Sequence, residues 1–382
     1  MKRPECDSGS VTAAVYTDIG SVEEEWQEFI SRCESDHPFN SYYWLKTWWK
    51  HFGGEGPAII VVRQLDKLVC CLPTTTGTVG VRGKGSFFRH RRLWVNTHSF
   101  RSGILCDRDV PQALHRAIDC LLTLADWDSL DLFYLPGNPG VQQNLKQCLA
   151  SSGLRFLDRP GMQSPFLHIN GSWDDFVSSL SKRRREAERR KSRKLCDKLG
   201  ARIEIKAGKG AGLDEALNDC WKISRQTWKK ARGSAIGSST QLQAFYRDIA
   251  SAPDDWLVLG LLYLNNEPIA FEYNLLYQNT LYNLKLGYSL RQRQLSPGQV
   301  LRFRMLEWAF DNGVECFDYM GNEAEYKSRF SNGALPHETV HIFSRSLRGR
   351  LLALYRLRLM STLRRLKRRL TAIPLPLRES GR

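Results

Sequence analysis

The sequence predicts a mixed α/β fold (α+β in the ordering of its strands) built as two halves on one plan. Three observations lead there. Apolar runs of strand length occur in turn-linked series, as in Ala58–Arg63 with Lys67–Leu72 and in Trp256–Leu264, Ile269–Tyr277 and Thr280–Leu290. Capped, periodic stretches of helical length lie between them. The order helix, hairpin, helix, strand occurs on both sides of a break in periodicity at Arg159-Pro160-Gly161, without a residue-by-residue repeat.

In the first half, Val22–Arg32 reads as a helix whose first-turn glutamates suit the positive end of its dipole. Trp44–Phe52 is an aromatic-rich helix with Ser41 upstream as a cap and Gly53-Gly54 as a stop. The hairpin over 58–72 turns at Gln64-Leu65-Asp66. Pro111–Ala125 is a helix, Leu130–Leu135 a strand stopped by Pro136-Gly137, and Val141–Ser152 a helix ended by Gly153. In the second half, Pro165–Ile169 is a strand and Trp173–Leu180 a helix capped by Ser172 or Gly171. Ser181–Leu199 is a long basic helix closed by Gly200, Arg202–Lys206 a strand, and Leu213–Lys230 and Gln241–Ala250 helices. The three-strand meander turns at Asn265-Asn266-Glu267 and Gln278-Asn279. A loop over Arg291–Gly298 leads to a helix, Gln299–Asn312, ended by Gly313, and to a strand, Glu315–Tyr319.

With 382 residues, 42% hydrophobic and 25% charged, the chain suits two domains of ordinary size. Its longest apolar run, Trp256–Leu264, falls far short of the ~20 residues a membrane-spanning helix needs. The first residues carry no apolar signal region. The ten cysteines contain no Cys-x-x-Cys and no Cys/His cluster of zinc spacing, so reduced thiols, a cytoplasmic setting and no metal are expected. The net charge of +16 points to an anionic partner. Much of it lies in Lys182–Lys198 and Arg345–Arg369, which argues against general nucleic-acid binding.

The stretch 288–312 is strand, basic loop, helix. Helix N-terminal N–H groups lack intrahelical partners and carry partial positive charge, and Arg291 and Arg293 add forked donors, which together suit a phosphate; a plain capped connection fits the same spacing. Leu257 to Phe330 resembles GNAT-type acyltransferases, matching through Leu284-Lys-Leu-Gly-Tyr-Ser-Leu290, Ser296-Pro-Gly298 and Gln299–Asn312. The resemblance implies acetyl-CoA or another acyl-CoA as co-substrate, held by Leu286, Tyr288, Arg291, Arg293, Ser296, Gly298 and Gln299. The family's usual Gln/Arg-x-x-Gly-x-Gly/Ala run is absent, leaving Gly298 as its one glycine.

A narrower resemblance covers most of the chain. Phe39-Asn-Ser-Tyr-Tyr-Trp-Leu-Lys-Thr-Trp-Trp-Lys-His-Phe-Gly53, Leu180-Ser-Lys-Arg-Arg-Arg-Glu-Ala-Glu-Arg-Arg190 and Phe317-Asp-Tyr-Met-Gly-Asn-Glu-Ala-Glu-Tyr-Lys-Ser-Arg-Phe330 resemble, in order, segments of the CelD-like group linked to cellulose and exopolysaccharide synthesis. That group implies two tandem GNAT-like halves, each a mixed, mostly antiparallel sheet flanked by helices. It is similar in this to FemAB-type transferases, which use aminoacyl-tRNA. The expected division is 1–158, 159–344 and a basic C-terminal segment, 345–382.

Acyl transfer needs a group to take the acceptor's proton and donors for the developing oxyanion. Backbone N–H groups near 284–288 would serve the oxyanion. Glu272, a charge in an apolar strand, Asp318, at a strand's C-terminal end, and Glu323 are the candidate bases. Tyr326 is the candidate acid and Lys327 a candidate anchor for an anionic group. His98 and Arg101, in a polar loop of the first half, would line an acceptor cleft between the halves. Each of these also has a purely structural reading.

Lys182–Lys198 is either a solvated helix or a dock for an anionic substrate. From Thr339 to Arg378 there is no Asp or Glu, and Leu352, Tyr355, Leu359, Leu363, Leu366 and Leu370 form an apolar stripe with arginines beside it. That pattern fits peripheral contact with an anionic membrane, or a stripe docked on the body. The leading expectation is an acyltransferase acting on a sugar, lipid-linked or amine acceptor. The alternatives are FemAB-like aminoacyl transfer, the one reading that involves a nucleic acid, and a non-catalytic scaffold.

Overall fold

The computed structural model describes residues 6, 7, 11–76, 88–227 and 235–359. The stripe positions Leu363, Leu366 and Leu370 and the expected helix end at Lys230 lie outside them. The strands are β1 (Cys6–Asp7), β2 (Val11–Tyr16), β3 (Ala58–Gln64), β4 (Lys67–Thr76), β5 (His90–Leu93), β6 (Leu105–Cys106), β7 (Ser129–Pro136), β8 (Arg155–His168), β9 (Arg202–Ala207), β10 (Leu257–Leu264), β11 (Glu267–Tyr277), β12 (Thr280–Tyr288), β13 (Cys316–Asp318) and β14 (Gly333–Phe343). The helices are α1 (Trp26–Ser31), α2 (Tyr42–Phe52), α3 (Gln112–Thr123), α4 (Pro139–Ser151), α5 (Trp173–Ser179), α6 (Lys182–Ser192), α7 (Leu213–Arg225), α8 (Thr240–Ala250), α9 (Pro297–Asp311), α10 (Glu325–Ser328) and α11 (Leu347–Leu354).

Local chemistry explains most boundaries. Ser41 Oγ accepts from the Trp44 N–H at 3.1 Å and starts α2. Ser172 and Asp175 form a reciprocal capping box on α5. The tight hairpins turn on pairs with positive φ: Leu65-Asp66, Asn265-Asn266 and Gln278-Asn279. Such turns match the twist of the strands they join.

Among the described residues, 14 strands form one continuous sheet in the order β1-β2-β3-β4-β5-β7-β14-β8-β13-β12-β11-β10-β9, with β6 on β4. Two neighbouring pairs are parallel, β5 with β7 and β12 with β13, at matching places in the two halves. The centre joins the halves: β8 spans the expected boundary and pairs with β13 through Phe166–His168, and β14, from the second half, pairs with both β8 and β7.

One expectation changes here, and one strand is added to those expected. Arg159-Pro160-Gly161 is not a break but part of the long strand β8. The ladder shifts register where Glu338 faces Pro160, and a Cβ on Gly161 would meet His337 O at 2.9 Å. Pro-Gly here serves a bulge and a close backbone approach, not a turn. The added strand is β14, which carries no clear strand signal because Pro336-His337-Glu338 interrupts its apolar pattern.

β5 and β6 are parts of one interrupted strand. Trp94 N–H reaches Pro73 O on β4, and Leu105 resumes the ladder opposite Cys71, so the residues between them loop out of the sheet. The largest core joins both halves, with Trp44 and Trp48 of α2 in one cluster with Trp221, Phe245, Tyr246 and Tyr273. Each such side chain stabilises the fold by about 1.5–3 kcal/mol on burial, so this shared face holds the halves together. Among the described residues no helix is long and apolar enough to cross a membrane.

Candidate active site

β12 and β13 pair over three positions only, Thr280 with Cys316, Leu281 with Phe317 and Tyr282 with Asp318. β12 then runs on to Tyr288, while the chain leaves β13 through Met320 and Gly321, both at positive φ. β12 also carries a bulge: Tyr273 faces Lys285 and Asn274 faces Asn283, so Leu284 is an extra residue. Bulges re-aim side chains beside sites.

Beside the stretch of β12 that runs on past β13, still paired with β11 on its other side, is a cavity of about 270 Å³. Leu286, Gly287 and Tyr288 line it from β12, and Ser296, Pro297, Gly298, Gln299 and Arg302 from the start of α9. Arg293, Tyr326, Arg329 and Phe330 line it from the flanking turns, with Glu272 of β11, Thr227 and Glu188 of α6.

The mouth is the start of α9. In place of the expected loop, Leu290–Leu295 forms a 3-10 turn, and α9 begins at Pro297, two residues early. Proline is favoured there because the first helical N–H has no intrahelical partner. Ser296 sits in the left-handed region, and its side chain does not cap the helix. Gly298 leaves room for Tyr288: a Cβ there would stand 3.2 Å from Tyr288 Cδ1.

The floor is a buried polar network. Arg302 Nε donates to Glu272 Oε1 at 2.7 Å and an Arg302 Nη2–H to Asn283 Oδ1 at 2.8 Å. Asn283 Nδ2 donates to Asn274 Oδ1 at 2.6 Å and to Glu272 Oε2 at 3.4 Å. The guanidinium also lies 5.0 Å from the rings of both Phe317 and Tyr319. Burial pushes the Glu272 carboxyl above its usual range, against the pull of Arg302. Two buried atoms of opposite character lining this cavity have no hydrogen-bond partner: Arg302 Nη1 and Glu188 Oε2. Glu188 Oε1 holds Lys191 at 2.6 Å. Its helix is pinned by Arg184, which donates to Arg329 O at 2.5 Å.

Residues 181–328 match the family model of the acetyltransferase (GNAT) domain. The second half carries a GNAT-type acetyltransferase domain. The match runs from the cap of α6 to the end of α10 and so contains most of the cavity lining, Glu188, Glu272, Arg302 and Tyr326 included. Among solved structures, FemX shares 13% identity at a TM-score of 0.57, covering 88% of this chain and 98% of its own. A conserved protein of unknown function from Bacteroides thetaiotaomicron shares 10% at 0.54, covering 86% and 99%. At these identities the likeness is one of fold, and it extends over both halves. No functionally curated protein matches the chain.

The acetyltransferase domain brings together eight residues singled out from the sequence: Glu272, Leu286, Tyr288, Arg293, Ser296, Gly298, Gln299 and Tyr326. Arg291 is exposed and does not line the cavity. Lys327 is turned inward, its ammonium donating to the carbonyls of Met320 and Asn322. Glu323 accepts from Ser328 Oγ.

Asp318, Arg101 and His98 lie elsewhere, where the halves meet. Arg101 Nη2 and Asp318 Oδ2 form a buried ion pair at 2.6 Å, and Asp318 Oδ1 accepts from the Met320 N–H. Arg101 also lines a separate cavity of about 390 Å³ with His37 and Tyr282. His98 is stacked on Phe52 and bonded to Tyr246 Oη at 2.9 Å, and burial pushes its imidazole down to about 3.

In the first half the looped-out segment is tied to β7: the Ser102 N–H donates to Tyr134 O at 3.1 Å and Ser102 Oγ to Phe133 O at 2.5 Å. Sequence reasoning missed Arg302 and Glu188. Each carries a local signal: a charge directly after the apolar Val300-Leu301 of α9, and an acid inside a run of arginines. Among the described residues no group of three or more His, Cys, Asp or Glu is placed to hold a metal ion.

Proposed function

We propose that this protein is an acyltransferase that takes its acyl group from acyl-CoA at the cavity of the acetyltransferase domain and passes it to an amine or hydroxyl. The observation that carries this reading is the parting of β12 from β13 beside a cavity whose mouth is a helix N-terminus without a side-chain cap. An anionic diphosphate suits that helix end, with Arg293 beside it. The thioester would then lie along Leu286–Tyr288.

In the reaction, the acceptor's lone pair attacks the thioester carbonyl. Its electron pair moves to oxygen, and backbone N–H groups at the end of β12 suit that oxyanion. Collapse breaks the C–S bond; the acceptor gives up a proton and the thiolate gains one. Both oxygens of Glu272 are engaged by Arg302 and Asn283, whereas Glu188 keeps one oxygen unpartnered. Glu188 is therefore the better carboxylate to receive the acceptor's proton, and the Tyr326 hydroxyl, on the cavity wall, can protonate the thiolate.

The resemblance to cellulose- and exopolysaccharide-associated transferases favours a sugar-bearing or lipid-linked acceptor in envelope metabolism. A lipid-linked acceptor would require the enzyme to reach a membrane surface, and the basic segment 345–382 suits that contact.

The test is thermal unfolding of the full chain against acetyl-CoA, longer acyl-CoAs and free CoA. A ligand at ~100 times its dissociation constant adds about 2.7 kcal/mol, a rise in Tm on the order of 5 °C. A rise removed by Arg293→Ala establishes the donor and its site. No rise with any CoA species rejects acyl-CoA as donor, and aminoacyl-tRNA becomes the next ligand to try.

A further inference from the structure

We propose that α11 is a membrane-contact helix that presents a second apolar face to an anionic lipid surface. This rests on the C-terminal element alone, not on the chemistry assigned to the acetyltransferase domain.

α11 is apolar on two opposite sides. One side is docked: Leu352 and Ala353 are buried with Phe343 and pack against Leu157, and Gly349 lies against Ser344 and the Asp128 backbone. At 100° per residue the opposite side carries Leu347, Leu351 and Leu354, with Tyr355 just beyond. These four are 80%, 59%, 41% and 48% exposed. They make up half of the large hydrophobic side chains left exposed among the described residues; the other four, Leu65, Leu199, Leu290 and Tyr326, stand apart in sequence. A contiguous exposed apolar strip, unlike single exposed leucines, marks a contact site.

The sequence periodicity placed Leu352 and Tyr355 on one stripe. The structure separates them: Leu352 belongs to the docked face and Tyr355 to the open one. The contact surface is therefore a face that the stripe did not identify.

Charge decides the occupant. Arg348 and Arg350 flank the open strip on either side, both exposed, and no Asp or Glu occurs from Thr339 to Arg378. An apolar strip edged by arginines matches the interface of an anionic bilayer, where leucines enter the acyl boundary and guanidinium groups meet lipid phosphates. The arginines on both flanks disfavour a second copy of the same face, which would bring like charges together.

The experiment is co-sedimentation of the full-length protein with vesicles of phosphatidylcholine alone and of phosphatidylcholine with phosphatidylglycerol. The parent is expected to pellet with the anionic vesicles only. Leu347→Ser with Leu351→Ser, both at exposed positions, should lower partitioning roughly tenfold or more at an unchanged Tm. A second variant, with Arg364, Arg365, Arg368 and Arg369 all changed to Gln, should weaken binding but leave it sensitive to the leucine pair. The proposal is overturned if the parent ignores anionic vesicles, if it binds neutral vesicles equally, or if the leucine pair changes nothing. It is also overturned if light scattering shows a dimer that the leucine pair dissolves while vesicle binding is absent, since the face would then belong to a second copy.

Discussion

Arg101 and Asp318 meet at 2.6 Å across the junction of the halves, both almost fully buried, joining the loop that leaves β5 to the last residue of β13. Removing one partner of such a pair strands a charge in a low dielectric and costs about 3–5 kcal/mol. Arg101→Ala should therefore lower stability by about that amount in denaturant unfolding. Arg101→Met combined with Asp318→Leu should recover a good part of it. If Asp318→Asn abolished turnover without lowering stability, Asp318 would be a catalytic group and not a tie between halves.

Glu188 and Glu272 make opposite predictions. Glu188→Gln keeps the contact to Lys191 but removes a proton acceptor, so kcat/KM should fall on the order of 10²–10³-fold with little change in Tm. Glu272→Gln breaks the pairing with buried Arg302 and should lower Tm strongly. A Glu188→Gln enzyme of full activity would return the base role to Glu272.

Gly298 controls the mouth of the cavity. Gly298→Val adds atoms where a Cβ alone already stands 3.2 Å from Tyr288, so affinity for CoA should fall about tenfold, or about 1.4 kcal/mol. Tyr288→Ala in the same chain should restore part of the binding. Equal affinity in the single variant, by calorimetric titration, would place the CoA elsewhere.

Three histidines set an acid limit, His37 and His337 buried and His98 half-buried. Burial pushes His37 and His98 down to about 3 and His337 to about 4. The unfolded chain takes up their protons near pH 6.5 while the folded chain refuses them, so stability falls with pH from about 6.5 down toward those values. Each contributes up to about 1.4 kcal/mol per pH unit within that window. Tm should therefore start to drop below about pH 6.5, above the carboxylate range, and more gently in His98→Asn. A flat Tm from pH 7 to 5 would contradict this.

Much of the site was legible because its signals are local. Gly298, Ser296 and Arg293 follow a recognisable strand and precede a recognisable helix, and Tyr326 falls in a short helical turn, so all four reach one cavity. Arg291 shared the same loop signal, but the 3-10 turn leaves it exposed and off the cavity. Asp318 at a strand's C-terminal end and His98 in a polar loop carry signals of position, which cannot distinguish a group facing a ligand from one satisfied by a distant partner. Arg101, 217 positions away, is what engages Asp318.

The sequence by itself determined the elements: caps such as Ser41 and Ser172, hairpins at paired positive-φ residues, the meander β10–β12 and the helix that follows it. These depend on hydrogen bonds and torsional preferences within a few residues. Tertiary structure decided everything that required pairing across the chain. It made Pro160-Gly161 part of a strand by supplying β14 as a neighbour, tied the loop after β5 to β7, and turned Leu352 inward while leaving Leu351 outside. Burial assigned the remaining roles, because a buried charge must find a partner, and only the folded chain brings Arg302 to Glu272 while leaving an oxygen of Glu188 unpartnered.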